Sequence, residues 1–320
     1  MARAATRLIG VTLLALLAAA AWLARPSLVR LAPTPLLPMP AHEQYAAALA
    51  LAGVAATDAG RAWTAAAERA LEQPRDAVPT ATQRAVSDDT SAVAWRVEVR
   101  RGQRVTIATG AAPDLFFLDL FTAGERRRVA SAAPREASLE HIADDDGELI
   151  ARLQSRLDTP SGISYEVTQR VGASLLFPVE GRDRRAVQSV FGDGRDAGRR
   201  RHEGIDIFAP RGTPALAAVD GWVTRQTTNR LGGNVVWVWS PSRRLSLYYA
   251  HLDRQAVAPG DRVRAGDVIG YVGNTGNARA TAPHLHFGVY ASLAGAVDPL
   301  PFVVDPASPH RPRQVLRGSR

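Results

Sequence analysis

The run His284-Leu285-His286-Phe287-Gly288-Val289-Tyr290 alternates polar and apolar side chains with a period of two. That period is a strand signal, because successive side chains on a strand point to opposite faces. His284 and His286 then share one face, roughly 6.5–7 Å apart. Both imidazoles can enter one cavity. They are too far apart to be interchangeable, so one can bind a metal while the other works on water or substrate.

A second motif, His202-Glu203-Gly204-Ile205-Asp206, places a histidine and a carboxylate four residues apart, on one face of a strand or a helix. Gly204 and the Pro210-Arg211-Gly212 turn argue against a long helix, so the reading is a loop running into a strand from Ile205 to Ala209. A lone His-x-x-x-Asp is common by chance; paired with His-x-His in one domain it is not. Two imidazoles and a carboxylate give three protein ligands for zinc and leave a fourth position open for water, the pattern of a catalytic site. His251, in Leu247-Tyr248-Tyr249-Ala250-His251-Leu252, is a further candidate, although taken alone it reads as a polar residue within an apolar strand. The chain has no cysteine, which excludes disulfides and thiolate ligands, and it has no His-Glu-x-x-His, which excludes a helix-based zincin. The expectation is a zinc hydrolase.

These motifs resemble the LytM/lysostaphin-type zinc metallo-endopeptidases, which cut peptide bonds in bacterial cell-wall peptidoglycan. The resemblance runs from about Leu176 to Pro299. It rests on Phe177-Pro178-Val179, Val190 to Asp193, Gly198 to Pro214, Ala217 to Gly221, Tyr249 to Leu252, Gly266 to Gly270, Gly273 to Gly276 and His284 to Gly288, in the family's order. It implies one Zn2+ per chain held by His202, Asp206 and His286, with His284 and His251 as non-ligand catalytic histidines that handle protons and steady the tetrahedral intermediate. In some members a tyrosine upstream of the first ligand also helps. Here the stretch Asp193 to Gly198 has none, so no oxyanion donor beyond the histidines is assigned.

Other classes fit less well. The stretch Asp261 to Gly270 reads like a turn of a biotinyl or lipoyl carrier, but carriers need a lysine and all 39 basic residues are arginine. The shared turn still points to a compact all-β architecture. A formal charge of +8 suits phosphate polymers. An export signal places the chain away from cytoplasmic nucleic acid, so anionic cell-envelope polymers are the fitting partners, beside peptidoglycan peptides. Arg199-Arg200-Arg201 reads as a solvated loop, or as a holder of wall-peptide carboxylates. Two alternatives to a peptidoglycan hydrolase are a non-catalytic wall-binding activator of another hydrolase, whose mark would be a missing ligand, and a secreted general metalloprotease.

The predicted fold class is mainly β. Residues 1–24 read as a signal peptide or membrane anchor, with Arg3 and Arg7 before the 17-residue apolar run Leu8 to Ala24. Export to the periplasm or cell envelope follows under either reading, with membrane contact by the N-terminal segment. Residues 25–90 read as linker and helix: proline-rich from Pro33 to Pro40, helical from Ala41 to Leu71, polar and patternless from Pro74 to Thr90. Residues 91–172 alternate like a β-sandwich-like accessory module, for targeting or for shielding the cleft. In it His141 with Asp144-Asp145-Asp146 is a candidate cation site or, more simply, a solvated acidic loop. Residues 173–305 form the barrel-sandwich, duplicated-hybrid-motif catalytic domain, and 306–320 read as a disordered tail.

Overall fold

The computed structural model describes residues 39–306 except 77–79, 87–91, 111–112, 161, 196–197 and 293. The targeting-segment, proline-linker and tail readings therefore lie largely outside the described residues. Among those described, no helix is long and apolar enough to cross a membrane. The chain divides into two units, residues 1–48 and 49–320, and every strand among the described residues lies in the second.

The alanine-rich segment forms two helices, α1 (Ala41–Leu51) and α2 (Asp58–Glu72). The Thr57 side chain caps α2 by accepting from the Gly60 amide. Nine strands follow: β1 (Arg75–Asp76), β2 (Thr80–Val86), β3 (Ala92–Val99), β4 (Arg104–Thr109), β5 (Phe116–Thr122), β6 (Arg128–Ser131), β7 (Ser138–Ile142), β8 (Gly147–Ser155) and β9 (Ser164–Gly172). They make two sheets, ordered β1-β3-β8-β5-β6 and β2-β9-β4-β7. Val97, Leu120 and Leu153 from one and Val105, Ile107 and Val167 from the other share a core. Strand β2 falls inside the polar stretch where the sequence shows no periodicity; its backbone pairing to β9 places it, not an apolar stripe. Helix α2 packs on β8: Trp63 is buried and donates to the Ser155 carbonyl at 2.8 Å, while Gln154 donates back to the Trp63 carbonyl.

The C-terminal part holds β10 (Val187–Ser189), β11 (Gly194–Arg195), β12 (Arg200–Arg201), β13 (Ile205–Phe208), β14 (Pro214–Leu216), β15 (Gly221–Asn229), β16 (Gly233–Ser240), β17 (Leu245–Leu252), β18 (Arg254–Gln255), β19 (Arg262–Val263), β20 (Val268–Tyr271), β21 (His284–Ala291), β22 (Gly295–Val297) and the short helix α3 (Leu300–Val303). The main sheet runs β10-β13-β21-β17-β16-β15-β19, with β22 on β21. A smaller sheet, β14-β20-β18, contributes Ala215 and Ile269 to a core shared with the main sheet. The fold is mainly β, as the alternation predicts. Leu285, Phe287 and Val289 of β21 lie in this core with Ile205 and Ile207 of β13 and Leu247 and Tyr249 of β17. Period two then sends Asp206, His284 and His286 to the other face.

Candidate metal centre and flanking histidines

Strand register builds the site. Strands β13 and β21 are antiparallel, and Asp206 sits directly opposite His286. Directly opposed residues bring their Cβ atoms to about 4.5–5.5 Å, so the carboxylate and imidazole meet. His202, in the loop just before β13, completes the group. His202 Nε2 is 3.0 Å from Asp206 Oδ1 and 2.9 Å from His286 Nδ1, and His286 Nδ1 is 3.0 Å from Asp206 Oδ1. Three donor atoms thus converge on one point and form a group able to hold a metal ion. Three ligands at zinc bond lengths on a tetrahedron would stand about 3.3 Å apart, close to the separations found.

The surroundings aim these donors. His202 Nδ1 lies 2.9 Å from the Val190 carbonyl, which accepts its N–H and leaves the Nε2 lone pair facing the cluster. His286 needs Gly204: a Cβ there would lie 2.7 Å from the ring's Cε1 and 2.5 Å from the Phe287 carbonyl oxygen. Burial opposes ionisation of Asp206, but hydrogen bonds from His202 and His286 outweigh it and hold the carboxyl below the usual carboxylate range. Burial also pushes the His286 imidazole down, against the pull of Asp206.

His284 and His251 flank the cluster without joining it, the His251 ring 6.0 Å from that of His286 between centroids. Their rings are 5.0 Å apart, centroid to centroid. His284 Nδ1 is 2.9 Å from the Ala282 carbonyl and His251 Nδ1 is 2.9 Å from the Thr275 carbonyl. Each Nδ1–H is thereby engaged and each Nε2 is left with a lone pair. Phe208, opposite His284 on β13, stacks on its ring at 4.9 Å. His251 is in the left-handed region, φ 62°, where the β16–β17 register shifts between Asn234 and Val236. A bulge of this kind re-aims a side chain, and the strand pattern alone gives no sign of it. Burial, reinforced by His284 and His286, pushes His251 down to about 4, against the Thr275 carbonyl and Asp206, so the ring is neutral at pH 7.

All five sequence-predicted residues are therefore brought together. Arg195 joins them without any signal in the sequence. Its Nη2 donates to Asp206 Oδ2 at 2.6 Å and to Ser189 Oγ at 2.7 Å. Ser189 Oγ in turn donates to Asp193 Oδ2 at 2.7 Å. No spacing rule marks an arginine in a short hairpin as a partner of a ligand eleven residues on; the β11–β12 pairing brings it there.

The C-terminal part thus sets a His-Asp-His group able to hold a metal ion beside two further histidines, on a mainly β scaffold. Residues 200–299 match the family described as Peptidase family M23, and this stretch of the chain is similar to LytM/lysostaphin-type relatives. The peptidoglycan DD-endopeptidase ShyC of Vibrio cholerae is 43% identical over 86 residues, 27% of this chain and 19% of that protein. The glycyl-glycine endopeptidase ALE-1 of Staphylococcus capitis is 40% identical over 106 residues, 32% of this chain and 29% of that protein. The L-Ala--D-Glu endopeptidase of Bacillus subtilis is 37% identical over 122 residues, 36% of this chain and 37% of that protein. The chain thus spans well under half the length of these relatives. The solved structure of LytU is 40% identical and matches 37% of this chain and 83% of its own, with a TM-score of 0.34.

Proposed function

We propose that this protein is an exported zinc endopeptidase that hydrolyses peptide bonds in bacterial peptidoglycan. The observation that carries this reading is the convergence of His202 Nε2, Asp206 Oδ1 and His286 Nδ1, with two tautomer-locked histidines beside them. The three ligands would hold one zinc per chain. When bound, zinc supplies a Lewis acid for the scissile carbonyl and lowers the pKa of water to about 7. The chain's own residues do the rest. His284 Nε2, free to accept because its Nδ1–H is engaged by Ala282, takes the proton from the attacking water. It then delivers that proton to the leaving amine. Imidazole as a group, with an unperturbed pKa of about 6.5, suits both steps near neutrality. His251, neutral and held through its Nδ1–H by Thr275, turns the Nε2 lone pair toward the same space, where it accepts a hydrogen bond from the attacking water or from a substrate N–H. Arg195 engages the outer oxygen of Asp206, leaving Oδ1 for the ligand role.

The activities for which the relatives are named, DD-, glycyl-glycine and L-Ala--D-Glu endopeptidase, support the substrate class and differ in the bond. The presence of all five functional positions favours an enzyme over a non-catalytic activator. Such a substrate implies an extracytoplasmic location. The test is zinc content and release of soluble muropeptides from purified walls, by residues 25–320 and by its His284→Ala and His286→Ala variants. We expect one zinc and activity in the parent. His284→Ala should keep its zinc and lose at least about a hundredfold in rate, the low end for general acid–base catalysis. His286→Ala should lose both. Full activity in either variant would overturn the assignment.

A further inference from the structure

One ladder row beyond the His-Asp-His cluster, three aromatic rings line the same face of the sheet. Tyr248 meets His286 edge-on at 5.7 Å between centroids, Trp237 lies 4.6 Å from Tyr248, and Tyr290 lies 5.1 Å from Trp237. The register explains the line, since Trp237 pairs with Tyr248 and Tyr248 with Gly288. A Cβ on Gly288 would stand 3.0 Å from Tyr290 Cε2 and 3.2 Å from the Glu203 carbonyl oxygen, so the bare backbone there lets the Tyr290 ring lean back over the strand. Its hydroxyl donates to Glu203 Oε2 at 3.2 Å. The three rings are partly exposed and Glu203 is exposed. Glu203 forms no ion pair among the described residues, in a chain with 39 arginines and three of them immediately before His202. Burial and the Glu203 charge push the Tyr290 phenol up. None of these four side chains belongs to the metal group or the proton-handling pair.

An unneutralised carboxylate at the end of an aromatic strip matches one chemistry. A cation is attracted to the ring faces within about 6 Å of a centroid, and the carboxylate supplies the opposite charge. We propose that Trp237, Tyr248, Tyr290 and Glu203 form a subsite for a primary ammonium group of the peptide substrate, the side-chain amine of a diamino acid. Residues two apart along a strand are roughly 6.5–7 Å apart, and an extended peptide advances about 3.3–3.6 Å per residue. The amine therefore belongs to a residue one or two positions from the scissile bond. This inference rests on the reading of the cleft as a peptidase site.

The test uses the full chain carrying His284→Ala, loaded with zinc, which binds without cutting. Calorimetry compares a pentapeptide containing lysine with the same peptide containing Nε-acetyl-lysine. The lysine peptide should bind about tenfold more tightly. Adding Glu203→Gln, which keeps an acceptor for Tyr290, or Trp237→Leu should erase that preference and leave the acetylated peptide unaffected. Equal affinity for the two peptides, or an equal loss for both in the variants, would overturn the subsite. Cleavage by the chain with His284 intact is followed in parallel. Discrimination in binding with no cleavage sinks the peptidase reading and keeps the subsite. Cleavage of both peptides with equal kcat/KM sinks the subsite and keeps the peptidase.

Discussion

Asp206 divides its two oxygens between separate partners. Oδ1 faces His202 and His286, and Oδ2 receives Arg195. A carboxylate fixed at both ends presents one oxygen in one place. Partners of this kind, behind a metal ligand, typically contribute ten- to a hundredfold in metal affinity. Arg195→Ala should therefore weaken zinc binding by about that factor while the fold is kept. Arg195→Lys should fall between, because an ammonium lacks the guanidinium's planar fork. A competition titration against a chelator measures both, and parent-like affinity in Arg195→Ala would show that the contact is incidental. Asp206→Ala should abolish zinc binding; one zinc per chain in that variant would remove Asp206 from the ligand set. The ligand types are legible in the sequence because period two and spacing four are local. Arg195 is not, since its partner is set by a hairpin turn.

At the scale of elements, two local distortions place the chemistry. The loop before β13 passes so close to β21 that only a glycine fits at 204. Gly204→Ala should cost about 1–3 kcal/mol by overpacking and weaken zinc binding as His286 is displaced. Thermal melts and the same chelator titration read this out, and parent values for both would contradict the close approach. The second distortion is the bulge at His251. A non-glycine residue in the left-handed region carries about 1–2 kcal/mol of strain. His251→Gly should therefore be more stable than His251→Ala by about that amount, with both impaired in catalysis. Equal stability in urea unfolding would mean that the strain is absent. The strand around His251 can be read from the apolar run, but the bulge cannot, because nothing local fixes where β16 and β17 shift register.

Among the described residues of 49–320, the two larger hydrophobic cores are distinct, one in the module of β1 to β9 and one around β13, β17 and β21. Between them, Ser174 Oγ donates to the Gly102 carbonyl, and Arg243 donates to the Ser174 carbonyl at 3.3 Å. Metal stabilises only the core whose native state binds it, by about 2.7 kcal/mol at a hundred times Kd. Calorimetry should show two transitions, with chelator lowering one. Equal displacement of both would mean that the cores melt as one. The module should respond to acid instead. Burial lowers the His141 pKa from its ordinary 6.5, against the attraction of Asp144. Below that value the unfolded chain takes up a proton that the folded module resists, so its stability is full above about pH 6.5 and falls as the pH drops. His141→Gln should flatten this fall, and an unchanged slope would assign it elsewhere. Among the described residues His141 and the three aspartates form no group of converging ligand atoms, and Asp145 and Asp146 are engaged by Arg101, which fits the solvated acidic loop better than a cation site.

The sequence by itself determined the strands that carry chemistry, the residue types at the His-Asp-His group and the family they resemble. Alternation and short spacings act over a few residues and survive in any fold that buries the apolar face. Tertiary structure alone decided the rest. It opposed Asp206 to His286 across a ladder, bent His251 toward them, brought Arg195 behind Asp206 and lined Trp237, Tyr248 and Tyr290 up with Glu203. Those contacts join residues up to 87 positions apart, and strand register, which fixes them, is set by the packing of the whole sheet and not by any stretch of chain within it.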